Sequence, residues 1–258
     1  MTKGVEEMTT KIVDLSHPLG RNTPIWPHVG EMPDVEIRRV AYPGRDKGRY
    51  TTVLTLKMHH GTHMDAEIHV TPGGWSIDQL PLTSCYGTGV VVDMRYKNKW
   101  EEITPEDLEK AQPKIEPGDW VVINTGWHHK WGVSNYEYWN HYPGIYRKGA
   151  EWLVKKKVKG VAQTGGATDL ALGHYPLSKV MPWLDEEYRK ETGRDPDIEF
   201  PENEPAHRIL YGAGIPGIEN AGGDVDEVTG MRCTIAAFPL KYEQGDASLV
   251  RLVAIVEE

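Results

Sequence analysis

The sequence contains few cysteines and no long apolar segment. Its two cysteines, Cys85 and Cys233, are far apart and form no C-x-x-C pair, which indicates a reducing compartment and no disulfide. No apolar run reaches the roughly 18 residues that a membrane-spanning helix needs, and residues 1–15 include no apolar signal-peptide core. We therefore expect a cytoplasmic protein that makes no use of a membrane.

Basic residues are also in short supply. The chain has 29 Lys and Arg against 38 Asp and Glu, a formal net charge of −9, which argues against nucleic acid as a partner. Phenylalanine is rare as well, with two residues against nine tryptophans and twelve tyrosines. Because Trp and Tyr combine an apolar ring with a polar atom, this excess either lines a pocket or a subunit interface, or fills the core.

The 258 residues are enough for one large core, and helix and strand patterns alternate along the chain. Residues 104–107, Thr-Pro-Glu-Asp, carry an N-cap, a proline and an acidic first turn, which predicts a helix over 105–112. Buried strands are predicted at 87–94, 120–124 and 158–162, and a second helix at 149–157. We predict an α/β fold in a single domain spanning residues 1–258.

The rest of the chain is less regular. Segments 12–15, 35–40 and 51–58 predict an early antiparallel sheet, and segments 233–240 and 249–256 predict a closing hairpin. Residues 125–148 show no regular period, so an irregular segment is expected there. Residues 164–205 are rich in Gly, Pro and charge, and we expect this insertion to act as a lid or an interface arm.

Residues 59–69 read His-His-Gly-Thr-His-Met-Asp-Ala-Glu-Ile-His, the densest group of metal-binding side-chain types in the sequence. His59, His63, Asp65 and His69 all fall on odd positions. A fully extended chain would spread them over roughly 33 Å, and a regular helix would turn Asp65 away from His59 and His63. We predict a strand that ends near residue 58 and a loop, bent at Gly61, that folds the donors around a metal ion.

Imidazole and carboxylate ligands suit Zn²⁺ or Mn²⁺, and three protein ligands leave a position for water. Such an ion makes water nucleophilic near neutral pH. His69 is the candidate for proton transfer, because its unperturbed pKa lies near 6.5. Packing in the core or at the surface is the alternative for any single histidine, and His60 is predicted to be such a supporting or surface residue.

Other histidines are harder to assign. His128 and His129 have no carboxylate at ligand spacing, so we predict that they are not ligands and keep a substrate contact as the alternative. Spacing alone leaves His174 without a role, and it leaves His207 and Glu219 open as ligands.

The stretch 59–69 resembles the H-x-G-T-H-x-D-x-P-x-H signature of the cyclase-like metal hydrolases, a family that includes bacterial kynurenine formamidase and isatin hydrolase. Three other segments are similar to that family as well: Ile25-Trp26-Pro27, Ala206-His207-Arg208 with Glu219-Asn220, and the stretch from Pro239-Leu240 to Arg251. The resemblance therefore covers nearly the whole chain.

The resemblance implies one or two divalent ions, Zn²⁺ or Mn²⁺, on five ligands: His59, His63, Asp65, His207 and Glu219. It implies that Asp65 bridges the two ions, that His69 transfers protons and that Trp26 contacts the substrate. It further implies a swivelling β/α/β domain with a mixed central sheet and flanking helices, assembled as a homodimer or homotetramer. Two departures stand out, since Glu67 replaces a proline and residues 163–171 replace an Asp-x-x-Ser-like segment.

These observations predict a metal-dependent hydrolase that opens a small cyclic amide or lactone, or cleaves an N-formyl amine. Metal-activated water would attack the carbonyl group, and His69 would protonate the leaving atom. One alternative is a metal-dependent lyase or dehydratase, in which the ion stabilises an enolate. Another is a non-catalytic protein that binds a small molecule, although the presence of all six candidate residues argues against it.

Overall fold

A mixed sheet of nine strands crosses the molecule in the computed structural model, which describes residues 9–26, 35–41, 44 and 49–257. In spatial order its strands are β1 (Thr10–Asp14), β13 (Val253–Glu257), β11 (Arg232–Ala236), β5 (Tyr86–Asp93), β7 (Trp120–Asn124), β9 (Gly160–Gln163), β10 (Gly217–Glu219), β4 (His63–Asp65) and β12 (Ala247–Leu249). The four strands from β5 to β10 are parallel, and antiparallel strands extend the sheet on both sides.

Two small sheets, seven α-helices and five short 3-10 turns complete the elements of the described residues. The small sheets pair β2 (Glu36–Ala41) with β3 (Thr51–Thr55), and β6 (Glu102–Ile103) with β8 (Gly144–Ile145). The helices are α1 (Pro105–Lys110), α2 (Asn135–Asn140), α3 (Arg147–Lys156), α4 (Leu177–Val180), α5 (Pro182–Thr192), α6 (Pro196–Glu199) and α7 (Pro205–Gly212). None of them is long and apolar enough to cross a membrane.

Both faces of the sheet are covered by apolar side chains. Within β5, Val90 and Val92 face a cluster that includes residues of α1, α3 and α7, whereas Val91 faces a second cluster built partly from β1 and the antiparallel strands. A third cluster is largely aromatic and lies between α2 and the helices α4 and α5. The buried valine run of β5 is therefore explained by a central strand covered on both sides.

Most predicted central elements are confirmed, and the α/β class with a mixed sheet is confirmed with them. The early antiparallel sheet is wrong as a unit, because β1 pairs with β13 at the far end of the chain and only β2 and β3 pair with each other. β11 and β13 are antiparallel neighbours as expected. They do not form a simple hairpin, because the chain between them forms β12 at the opposite edge of the sheet.

Two further expectations concern less regular segments. The prediction of an irregular segment at 125–148 is wrong in part, since it contains a 3-10 turn at Trp127–Lys130 and the helix α2. In the insertion at 164–205, residues 164–173 are buried beneath the site described below, and α4, α5 and α6 follow. A role of these helices as a lid or an interface arm stays a prediction.

Candidate metal centre

The short strand β4 places two of the predicted ligands on one face of the sheet. Alternation along the strand points His63 and Asp65 to the same side, while Met64 enters the core on the other side. The turn before β4 depends on Gly61, whose φ of +69° lies in the left-handed region that favours glycine. The predicted bend at Gly61 is confirmed. The prediction that 59–69 is entirely a loop is wrong, because β4 pairs with β10 and β12.

The bend returns His59 to the carboxylate of Asp65. His59 Nδ1 lies 3.0 Å from Asp65 Oδ1, and His63 Nε2 lies 3.3 Å from the same oxygen. On its outer side His59 Nε2 lies 3.0 Å from Asp246 Oδ2, just before β12. The ligands His59, His63 and Asp65, predicted from the resemblance, therefore form one compact group.

The remaining two predicted ligands come from β10 and α7. Glu219 pairs with His63 across the sheet, which puts its Oε2 atom 3.4 Å from His63 Nε2. His207, near the start of α7, lies with its Nε2 atom 3.0 Å from Glu219 Oε1 and 3.9 Å from Asp65 Oδ2. Asp65 thus lies between a His59–His63 side and a His207–Glu219 side.

Residues that sequence reasoning missed hold these ligands in place. Asp169 accepts a 2.5 Å hydrogen bond from His207 Nδ1 and two more from the backbone N–H groups of Ala206 and His207. Tyr211 donates a hydrogen bond of 3.1 Å to Asp65 Oδ2. A Cβ atom at Gly217 would lie 2.5 Å from the Tyr211 hydroxyl, so this glycine makes room for the contact.

The carboxylates and imidazoles shift one another's pKa strongly. Burial disfavours charge on Asp65, but His63 and His59 outweigh it and hold its pKa well below the usual range. Burial likewise opposes protonation of His207, yet Asp169 and Glu219 raise its pKa well above the ordinary value. Burial opposes protonation of His59 too, but the nearby aspartates raise its pKa to about 10. The pocket is thus strongly negative and suited to positive charge.

Two buried atoms show that a metal ion fits this pocket. Among the described residues, neither His63 Nε2 nor Asp65 Oδ1 has a hydrogen-bond partner, although both atoms are buried. His63 Nδ1 donates to the carbonyl oxygen of Gly61 at 2.8 Å, so Nε2 is the ring nitrogen left to act as a ligand, and it lies 3.3 Å from Asp65 Oδ1. An imidazole nitrogen and a carboxylate oxygen this close together are donors of the kind that a divalent cation binds.

His69 lies at the mouth of the pocket on the 3-10 turn Glu67–His69. Its ring is exposed, with its centroid 4.1 Å from that of His59 and 6.0 Å from that of His207. The surrounding protein still lowers the pKa of His69, chiefly by desolvation, which outweighs the opposing effect of Asp65. His69 is therefore a neutral imidazole beside the ligands, close enough to join them as well.

An aromatic wall defined by Trp26, Trp139 and His174 adjoins the pocket. The ring of Trp26 packs edge-on against Trp139 at 5.0 Å and His174 at 4.8 Å, measured between centroids. His174 Nδ1 lies 3.5 Å from Glu204 Oε1. Burial raises the pKa of Glu204, but His174, His207 and His69 outweigh it and lower that pKa to about 2, which places the carboxylate beside the site.

Two residues of the 59–69 stretch have supporting positions. His60 is buried and its Nδ1 atom accepts the backbone N–H of Lys57 at 3.3 Å, so the supporting alternative holds and the surface alternative is wrong. Glu67 accepts the backbone N–H of Trp75 at 3.3 Å, and its side chain packs where a Cβ atom on Gly74 would sit. The glutamate thus braces the loop by a contact with residues 74–75.

The chain is similar to a known family and to several named proteins. The family model described as "Putative cyclase" matches residues 13–169, more than half of the chain. The chain belongs to this cyclase family. Cyclase-family relatives include isatin hydrolase of Roseibium aggregatum, 26% identical over 95% of this chain and 92% of the relative. Kynurenine formamidase of Erythrobacter litoralis is 27% identical over 94% of this chain and 93% of the relative.

The cyclase fold is also found among solved structures. An isatin hydrolase bound to the product analogue thioisatinate superposes with a TM-score of 0.78, covering 96% of this chain and 93% of that chain at 23% identity. The expected cyclase-family fold is therefore confirmed along nearly the whole length. The resemblance seen in residues 59–69 is confirmed by the family match.

Proposed function

We propose that this cyclase-family protein is a metal-dependent hydrolase that cleaves the C–N bond of a small cyclic amide or of an N-formyl aromatic amine, with a small lactone as a related substrate. The observation that carries the proposal is the buried pair His63 Nε2 and Asp65 Oδ1, which lie 3.3 Å apart with no hydrogen-bond partner among the described residues, near the exposed imidazole of His69. The names of its relatives, isatin hydrolase and kynurenine formamidase, support the same class of bond.

The metal-binding residues divide into two groups that share Asp65. His59, His63 and Asp65 would hold a first ion, and His207 and Glu219 would hold a second ion with Asp65. Nitrogen and oxygen donors of this kind suit Zn²⁺ or Mn²⁺. When bound, such an ion supplies a polarised carbonyl and an acidified water molecule.

The protein's own residues supply orientation and proton transfer. Asp169 fixes the His207 ring through its Nδ1 atom, and Tyr211 fixes one oxygen of Asp65, so the donor atoms are aligned before substrate arrives. His69 is near these donors but reachable from solvent, where a neutral imidazole can take a proton from water and return it to the leaving nitrogen or oxygen.

The aromatic wall of Trp26, Trp139 and His174 supports a flat substrate. The ring of Trp26 packs on His174, and His174 lies close to Glu204, whose pKa is lowered by His207 and His69 of the site. A bicyclic lactam or an N-formyl arylamine would stack on this wall with its carbonyl group directed to the ligands. Trp26 is the residue that we assign to substrate contact.

The decisive experiment offers an isatin-type lactam and an N-formyl arylamine to the purified protein in ¹⁸O-labelled water. Hydrolysis must place the label in the product acid, whereas a lyase or dehydratase reaction leaves the product unlabelled. His63→Ala should lose bound ion and turnover together, and His69→Ala should keep the ion and lose turnover. His141→Gln, which removes a histidine paired with Glu187 outside the site, serves as the control.

Three outcomes would contradict the proposal. Turnover without label would assign the lyase alternative, and an ion-replete protein inert on both substrates would leave a binding protein. Loss of ion in His69→Ala equal to that in His63→Ala would make His69 a ligand.

Cellular location and assembly belong to the same proposal. We place the protein in the cytoplasm, which is supported by Cys85 and Cys233 being free and buried thiols. A homodimer or homotetramer remains our expectation, to be tested by light scattering of the purified chain.

A further inference from the structure

A second group of metal-binding side chains lies away from the candidate metal centre. The 3-10 turn Trp127–Lys130 follows β7 and carries His128 and His129, and the 3-10 turn Val225–Val228 carries Asp226. His128 Nε2 lies 3.4 Å and His129 Nε2 lies 2.8 Å from the same atom, Asp226 Oδ2. Folding thus supplies the carboxylate that is absent from the sequence around the two histidines.

The three donor atoms have the separations of a ligand set. They lie within 4.8 Å of one another, and the imidazole rings are 4.0 Å apart with an angle of 37° between their planes. Ligand bonds of about 2.0–2.1 Å at tetrahedral angles place neighbouring donor atoms roughly 3.4 Å apart. The histidine-to-aspartate distances of 2.8 and 3.4 Å in this group are similar to those at the candidate metal centre. There, the nitrogens of His59 and His63 lie 3.0 and 3.3 Å from Asp65 Oδ1.

The other oxygen of Asp226 is held by two neighbours. Oδ1 accepts a 2.8 Å hydrogen bond from Asn124 Nδ2 and a 3.2 Å hydrogen bond from Arg95 Nη1. Arg95 is itself anchored to both oxygens of Asp93. These contacts orient Oδ2 toward the histidines, as residues behind a metal ligand do. The positive charge of Arg95 partly neutralises Asp226. This group should therefore bind a cation more weakly than the buried candidate metal centre does.

Two of the three groups, His128 and Asp226, are shifted toward the protonation states that metal binding needs. Burial lowers the pKa of His128, and repulsion from His129 adds to the effect, so His128 is a neutral imidazole at pH 7. Burial opposes ionisation of Asp226, but its bond from Asn124 and the two histidines lower its pKa overall. His129 is 63% exposed, which opens the group to ions and water from solvent.

We propose that His128, His129 and Asp226 form an additional divalent-cation site that takes borderline metals such as Zn²⁺, with water completing the coordination. An ion there joins the turn after β7 to the turn before β11, two segments that meet beside the carboxyl ends of β5 and β7. The turn also positions Trp127 and Trp131 in the aromatic cluster, and Trp131 stacks on His17 at 4.1 Å. Occupancy therefore stabilises this edge of the sheet and is independent of catalysis.

The test counts ions in the fully loaded protein. Wild type would be equilibrated by dialysis against buffered free Zn²⁺ from about 1 to 100 µM, a range chosen for a three-ligand exposed site, and bound zinc measured by mass spectrometry. We expect wild type to bind one zinc more than His129→Gln, with identical turnover. Asp224→Asn is the matched control, because it removes one exposed carboxylate two residues from Asp226 and should bind as wild type does.

Crystals of the zinc-loaded protein locate the extra ion. An anomalous peak between His128, His129 and Asp226 that disappears in His129→Gln confirms the site. Equal zinc content in wild type and His129→Gln, or an equal loss of zinc in Asp224→Asn, overturns it. Because His129 is exposed, its substitution should not disturb folding, and circular dichroism of both variants checks this.

Discussion

Replacing Asp169 by Asn tests how the candidate metal centre is aligned. The native carboxylate accepts hydrogen bonds from His207 Nδ1 and from the backbone N–H groups of Ala206 and His207. An asparagine has one acceptor oxygen, which can keep the bond from the Ala206 N–H, while its amide N–H₂ then replaces the oxygen that accepts both the backbone N–H and the Nδ1–H of His207. The imidazole must move its proton to Nε2 or rotate, and either change takes the Nε2 lone pair from the ligand position.

Loss of a residue that orients a metal ligand lowers metal affinity or activity by about 10- to 100-fold. That range corresponds to about 1.4–2.7 kcal/mol at about 1.36 kcal/mol per tenfold change. The free energy of unfolding of the metal-free protein should fall by less, about 1 kcal/mol, because one of the two backbone bonds at the start of α7 is retained.

Two assays separate these effects. Competition with a chromogenic chelator measures ion affinity, and kcat/KM is measured on the substrate established for wild type. Asp185→Asn, which removes an acid paired with Arg189 outside the site, is the control. An Asp169→Asn variant with wild-type ion affinity and wild-type kcat/KM would refute the role that we assign to Asp169.

Three further predictions follow from particular side chains. Gly61→Ala should lower the free energy of unfolding by roughly 1–2 kcal/mol and weaken ion binding, because φ at Gly61 is +69°. Chemical unfolding measures the loss. Gly20→Ala is the control and should show no such loss, because a Cβ atom there meets nothing within 4 Å. Trp26→Ala should raise KM about tenfold for an aromatic substrate through lost stacking, and an equal rise for an aliphatic N-formyl amine would contradict it. Burial, with repulsion from His128, lowers the pKa of His17 to about 3, below its unfolded value near 6.5. The unfolded state therefore binds the proton more readily, and stability present above pH 6.5 is lost as pH falls toward 3. Between pH 7 and pH 5 the loss from His17 should be about 2 kcal/mol, and urea unfolding should show this extra loss in wild type but not in His17→Gln.

The close approach of His59, His63 and Asp65 could be predicted, because their chemistry is concentrated in one short stretch with a glycine among them. The central strands could be predicted as well, because apolar runs such as 120–124 are buried on both faces. The strand character of His63–Asp65 could not, since three residues with two buried polar side chains carry no apolar alternation.

The carboxylates that pair with His207, His128 and His129 could not be predicted, for a different reason. Asp169 follows a strand and reaches its partner His207 only through tertiary folding, and Asp226 lies far along the chain from His128 and His129. Sequence spacing reports neighbours within one element, whereas these contacts join separate elements of the fold. The prediction that the adjacent histidines are not ligands therefore rested on local spacing alone.

The pairing of β4 with β10 has a consequence for engineering and for natural insertions and deletions. Register places His63 opposite Glu219 and Asp65 opposite Gly217. Deleting one residue between positions 59 and 62 while the ladder keeps its pairing would exchange the two faces of β4, so that Met64 would occupy a ligand position. Insertions and deletions between positions 59 and 62 should therefore abolish activity, even where the rest of the sheet is unchanged.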